Sequence, residues 1–206
     1  MLIEGSFGEL GEKQSEPLHR IFESTNHLVK VVEDLLNVSK IEQGGLSFEM
    51  NQFDMKKAVT DIVADLSITA TNNRLVMTYE DDDLAPYIVY GDMEKLRQVI
   101  LNLIDNSIKY TKEGTIKIKL VQHTASRKVI LTITDTGIGM SPETKTALFG
   151  KFARGEGAKV NSGGSGLGLY LAKQIVEAHK GTLSADSAGV GKGSTFALTL
   201  SIDKAL

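Results

Sequence analysis

Between Leu18 and Ser39 apolar residues at Leu18, Ile21, Phe22, Leu28, Val32, Leu35 and Leu36 form a heptad-like seam, with Thr25 and Ser39 in two further slots. Residues three and four apart share a helix face, so this spacing predicts a long helix with an apolar seam that seeks partner helices. Gly44 and Gly45 follow, and glycine just past a helix end accepts the left-handed backbone that closes it. A second pattern begins there. Asp54 precedes the stripe Val59, Ile62, Val63 and Leu66 and is placed to cap a helix, and short strands are predicted at 76–79 and 88–90. Another helix is expected from about Asp92 to Tyr110, with Leu96, Val99, Ile100, Leu103 and Ile104 on one side.

Beyond Tyr110 the period changes to two. Ile116, Ile118 and Leu120 alternate with Lys117 and Lys119, Val129, Leu131 and Ile133 alternate with Ile130 and Thr132, and Phe196, Leu198, Leu200 and Ile202 repeat the alternation. Such runs read as antiparallel strands with one face buried. Helices before and between them predict an α+β fold, a sandwich with helices packed on one face of a mixed, mostly antiparallel sheet. The expected division is a helical region over residues 1–45 and a second domain over 46–206.

Composition narrows the chemistry. With 206 residues, 41% of them hydrophobic and 24% charged, the chain has material for one packed domain plus a smaller appended element. The net charge of -3 argues against general nucleic-acid binding, so any phosphate site must be local. Absence of cysteine excludes disulfides, zinc-thiolate sites and thiol nucleophiles and fits a reducing, cytoplasmic compartment. No apolar run approaches the roughly 20 residues that span a bilayer, so no membrane contact is expected of these residues.

Four segments carry candidate chemistry. Asn102, Asn106 and Lys109 stand at i, i+4 and i+7, so they share one stripe of the helix that ends at Tyr110. Asparagine is a weak helix former, and its carbonyl is a hard oxygen ligand suited to Mg²⁺. Asp135 leaves a strand into Thr136, Gly137, Ile138 and Gly139; its carboxylate can accept a hydrogen bond from an exocyclic amine, and the glycines permit a close approach. Phe149 and Phe152 precede Arg154 and a stretch poor in core residues that reaches Gly164, which reads as a lid able to bring Arg154 or Lys159 to a phosphate. Gly163, Gly164, Gly166 and Gly168, interleaved with Ser165, Leu167 and Leu169, run directly into an amphipathic helix, whose unpaired N–H groups suit an anion. Taken singly, these are also solvent-facing asparagines, a turn, a surface loop and a linker.

Competing motifs fail. Around Gly191 and Lys192 a P-loop would need glycine where Asp186 stands, and a dinucleotide fingerprint from Gly137 would need glycine at Pro142. Asp135-Thr136-Gly137 also spells an aspartic-protease triplet, but only one copy is present and the other segments are left unused.

Together the segments resemble the sensor histidine kinases: DMEKLRQVILNLIDNSIKYT is similar to their N box, DTGIGM to the G1 box, LFGKFARG to the F box and GGSGLGL to the G2 box, in the family's order. GKGSTFALTL resembles the last glycine box, and LVKVVEDLLNVSKIEQG the second helix of the dimerisation domain. The resemblance implies a Bergerat-type sandwich binding ATP and Mg²⁺. It assigns Asn106 to the metal, Asn102 and Lys109 to the metal-phosphate region, Tyr110 and Phe152 to the nucleotide pocket, and Asp135 to the adenine amine. It also assigns Gly137, Gly139 and Thr195 to the pocket, Arg154 to the γ-phosphate, and Gly164, Gly166, Leu167 and Gly168 to the phosphate-side lid. The implied partners are ATP or ADP, a response regulator receiver domain and a second copy of the chain.

Hydrolases of the same superfamily carry a glutamate one turn before the metal-binding asparagine, where this chain has Asn102. A neutral amide cannot take a proton from water, so the pocket is expected to serve another nucleophile. The family's acceptor histidine motif is absent, and His19, His27, His123 and His179 read as surface or packing residues. The acceptor is expected before Met1, with the sensing segments and any membrane anchor of the parent. A module that senses nucleotide without phosphoryl transfer is the nearest alternative.

Overall fold

The computed structural model describes residues 8, 11–82, 87–123, 125–153, 155 and 165–202. Its first helix, α1 (Glu12–Glu42), starts earlier than the apolar period indicates and carries Pro17 within it. The seam is exposed: Ile21, Phe22, Leu28, Val32, Leu35 and Leu36 are each at least half accessible. Only the C-terminal turns of α1 are covered, where Val38 is buried against Leu167 and Leu171. Gly44 closes the helix with φ +66°, and Gly45 N–H donates to the Lys40 carbonyl at 2.8 Å.

Strand β1 (Asn51–Asp54) leads into α2 (Met55–Asn72), whose first turn is capped by Asp54 accepting from Lys56 N–H at 3.0 Å. Next come β2 (Leu75–Asp81), β3 (Ile88–Gly91) and α3 (Met93–Tyr110). Asp92 caps α3 by accepting from Lys95 N–H. The remaining elements are β4 (Gly114–His123), β5 (Lys128–Asp135), α4 (Pro142–Ala147), α5 (Gly168–Ala178), β6 (Thr182–Asp186) and β7 (Ser194–Ser201). β1 pairs antiparallel with β3 in a small separate sheet. The main sheet has the order β2-β4-β5-β7-β6, with β2 and β4 parallel and the other pairs antiparallel.

Helices α2, α3 and α5 cover one face of the main sheet. Ile62, Leu96, Ile100, Leu103 and Ile104 from the helices meet Ile116, Ile118, Leu131, Ile133 and Leu198 from the strands, all at most 1% exposed. Burying each such side chain stabilises the fold by about 1.5–3 kcal/mol, so this layer is the principal source of stability. The other face carries Lys117, Lys119 and Thr134, as the alternation requires. Among the described residues no helix is long and apolar enough to cross a membrane.

Candidate functional site

The polar groups collect where α3 ends, where β5 leaves the sheet and where α5 begins. Asp135, the last residue of β5, is 5% exposed, and its Oδ1 accepts from Gly137 N–H at 2.9 Å and Ser194 N–H at 3.2 Å. Burial raises its pKa above the ordinary carboxylate value, while the two backbone donors act in the opposite direction. Ser107 and Thr111 are also buried, and both hydroxyls lack a hydrogen-bond partner. Ser107 stands close enough to Asp135 to lower its pKa slightly, yet makes no bond of good geometry. A carboxylate beside two unpaired hydroxyls is a site prepared for an outside partner, because buried polar groups are otherwise almost always satisfied.

On α3, Asn106 Nδ2 faces Asn102 Oδ1 at 3.5 Å, the limit of a hydrogen bond, and Asn102 Nδ2 is buried without a partner. The expected stripe therefore exists. Lys109 Nζ lies 5.5 Å from the centroid of the Tyr110 ring at the same end of α3. Gly168 opens α5 against this stripe: a Cβ there would stand 2.8 Å from Asn102 Oδ1. Leu167, at the start of α5, makes no side-chain cap, and its own N–H donates to Ser165 Oγ at 3.2 Å. A cavity of about 290 Å³ reaches Asn102 and Gly168 from the other side, with Lys30 and Asp34 of α1 on its far wall; Asp135 does not line it.

The glycines of the Asp135 loop allow close approach of other parts of the chain: a Cβ at Gly137 would meet the Tyr110 carbonyl at 2.4 Å, and one at Gly139 (φ +64°) the Gly189 carbonyl at 2.1 Å. They let the turn from 187 to 193 stack on the loop. Leu167 is 1% exposed and packs on Val38 of α1. The Thr195 hydroxyl shares a 3.1 Å hydrogen bond with Thr134 on the outer face of the sheet. Ser194, one residue earlier, stands opposite Asp135 in the ladder. Phe152 is 62% exposed with φ +58°, an uncommon backbone for a bulky residue, and Gly166 (φ +72°) packs tightly on its backbone. Arg154, Lys159, Gly163 and Gly164 lie outside the described residues.

Helices on one face of a mixed sheet, with unsatisfied polar groups gathered between an asparagine stripe and an uncapped helix start, place the chain among nucleotide-binding ATPase domains. Residues 91–204 match the family described as histidine kinase-, DNA gyrase B-, and HSP90-like ATPase, and the chain belongs to that family. It is 32% identical over 198 residues to the circadian input-output histidine kinase CikA of Synechococcus elongatus, covering 95% of this chain and 26% of that protein. The chain spans between 8% and 26% of the length of the curated relatives it matches. Among solved structures, histidine kinase AdeS of Acinetobacter baumannii superposes with TM-score 0.72 at 29% identity, over 98% of this chain and 90% of that one. ShkA in complex with AMPPNP gives TM-score 0.79 at 21% identity, over 98% and 42%. Histidine kinase ThkA in complex with response regulator protein TrrA gives 0.73 at 19%, over 98% and 57%.

Proposed function

We propose that this chain is the ATP-binding catalytic region of a sensor histidine kinase, and that the parent protein transfers the γ-phosphoryl group of ATP to a histidine outside these 206 residues. The observation that carries the reading is the meeting of Asn102 with the start of α5, which brings a buried, unpartnered amide to a helix start that has no side-chain cap. Asp135 accepts from the adenine amine, with Ser107, Thr111 and Ser194 around it. Tyr110 and Lys109 flank the nucleotide. Arg154 is assigned to the γ-phosphate.

The donor set fits Mg²⁺, which commonly takes one or two protein oxygens and completes its shell with phosphate and water. Asn106 supplies one such oxygen, and a bound ion there neutralises triphosphate charge. Asn102 accepts no proton from water at neutral pH, which disfavours hydrolysis and favours transfer to an external nucleophile. His19 and His123 lie exposed on α1 and at the end of β4, and His179 is buried; none of these stands as the acceptor. The exposed seam of α1 is assigned to a homodimer, and a receiver domain of a response regulator is the assigned phosphoryl acceptor downstream, supported by the likeness to ThkA.

Calorimetric titration of Mg-ATP and Mg-ADP into the chain and into Asn106→Ala tests the site. The substitution is expected to weaken Mg-nucleotide binding about tenfold, the equivalent of 1.4 kcal/mol; equal affinities would remove Asn106 from the metal site. The kinase reading is checked by incubating the chain, with ATP, alongside the parent's acceptor helix. Phosphohistidine on that helix is expected, and tight binding without transfer would make the chain a nucleotide sensor instead.

A further inference from the structure

α3 and α5 lie side by side and antiparallel, joined at two points. One is the contact of Gly168 with Asn102 described above. The other is at the opposite ends of both helices, where His179, 6% exposed, follows the last turn of α5. Its Nε2 accepts from Asp92 N–H at 2.9 Å, and its Nδ1 lies 2.7 Å from the Ile175 carbonyl. An acceptor at Nε2 requires the proton at Nδ1, so the ring is a neutral imidazole that donates to Ile175 and accepts from Asp92. The fit is close: a Cβ at Gly91 would stand 2.7 Å from His179 Cδ2. Phe48 closes the ring edge-on at 5.1 Å, and Glu49 N–H donates to Asp92 Oδ2 at 2.9 Å, so the segment arriving from α1 ends on the same cluster.

The two joints are spaced alike on both helices. Asp92 and Asn102 are ten residues apart (102 − 92) and Gly168 and His179 eleven (179 − 168), so at about 1.5 Å per residue the spans are about 15 and 17 Å. α5 is thus held near both its ends on the first half of α3, which limits sliding of one helix on the other. We propose that His179 is a positioning residue for the nucleotide site: its hydrogen bond to Asp92 N–H fixes the register of α3 on α5 and thereby holds Asn102 against the uncapped start of α5. The inference rests on the nucleotide reading above. His179 touches no nucleotide.

Two substitutions separate positioning from mere stabilisation. In His179→Gln the side-chain carbonyl reaches the place of Nε2 and keeps the acceptor for Asp92; in His179→Asn the amide reaches only the place of Nδ1 and keeps the bond to Ile175. Mg-ATP and Mg-ADP affinities are measured by calorimetry well below the melting temperature of each variant. The Asn variant is expected to bind at least tenfold more weakly, and the Gln variant within about threefold of wild type. Unchanged binding by the Asn variant, or equal weakening in both, overturns the proposal while leaving the nucleotide site intact; a wild-type chain that binds neither nucleotide overturns both. Should the variants fail to fold, the wild-type chain answers by reciprocity, since a bond that favours nucleotide is favoured by it. Saturating Mg-ADP should slow hydrogen exchange at Asp92 N–H about tenfold, and an unchanged rate would refute the role.

Discussion

Gly168→Ala should separate affinity from stability in an unusual direction. Alanine is the better helix residue by about 0.5–1 kcal/mol, which favours α5. The new Cβ would start 2.8 Å from Asn102 Oδ1 and 3.1 Å from Nδ2, against an ordinary contact distance of 3.4 Å or more, so the amide must retreat by 0.6 Å (3.4 − 2.8). It can do so, because among the described residues its side chain makes one hydrogen bond, the 3.5 Å contact with Asn106. Displacing a side chain from its rotamer costs about 0.5–1.5 kcal/mol, which nearly cancels the helix gain. At about 2–4 °C per kcal/mol for a chain of this size, the melting temperature should move by no more than about 4 °C. Nucleotide binding has no such offset. Asn102 is pushed from the phosphate position, and loss of one hydrogen bond to a charged group, about 1.5–3 kcal/mol, lowers Mg-ATP affinity at least tenfold. Calorimetry and thermal denaturation on one preparation measure both quantities. Asn102→Ala should lose affinity to a similar extent, and the double variant should lose little more, since the two changes remove one contact. Unchanged affinity in Gly168→Ala, or additive losses in the double variant, would refute a shared phosphate position.

Asp135→Asn should keep the fold, since its amide oxygen still accepts from Gly137 and Ser194 N–H, yet weaken ATP binding because it presents an NH₂ group to the adenine amine; calorimetry on the folded variant decides. Because burial raises the Asp135 pKa in the folded state, the folded chain holds that proton to higher pH than the unfolded chain does. This contribution to stability is present at low pH and is lost as pH rises from the unfolded value through the folded one, so the Asn variant should lack that decline in denaturant titrations across the acid range. For Asp92 the sign reverses: burial pushes its pKa up, but the N–H groups of Lys95 and Glu49 together with nearby positive charge, Lys95 first, hold the carboxyl below its usual value. Its stabilisation is present above the unfolded pKa and lost as pH falls through the folded one; Asp92→Asn should flatten the acid limb of the same titration. Thr195→Val should leave Mg-ATP affinity within twofold, because its hydroxyl faces Thr134 on the outer side of the sheet; a tenfold loss would return Thr195 to the pocket. Leu28→Glu with Leu35→Glu should convert a dimer to a monomer in light scattering while nucleotide affinity is retained, as both side chains lie on the exposed seam.

What was legible in the sequence depended on how regular the physical signal was. Helix α3 and strands β4, β5 and β7 follow from periods of 3.6 and 2, and every core residue those periods select in them is buried. Strand β1 carries no alternation in Asn-Gln-Phe-Asp and owes its existence to pairing with β3. In the site, Asn102, Asn106 and Asp135 stood out because their chemistry is awkward where they sit. Ser107 and Thr111 did not, since a serine among helix residues and a threonine after them have no signature until their unpaired hydroxyls are seen beside Asp135. The register of Ser194 with Asp135 was likewise illegible, because it depends on how β7 pairs with β5 and not on any local pattern.

Helix α5 is where the separate parts of the fold act on one another. Near its start Ser165 donates to Asp34 of α1 at 3.1 Å, Leu167 and Leu171 cover Val38, and Lys151, in the segment that Gly166 packs on, pairs with Glu42 at the end of α1. Along its side it carries the contact with Asn102, and just past its end His179 holds Asp92. A shift of α1 relative to the sheet therefore cannot leave the glycine segment where it is, because the same eleven-residue helix bears on both. The glycine at position 168 thus makes the distance between α3 and α5 too short to vary without moving Asn102.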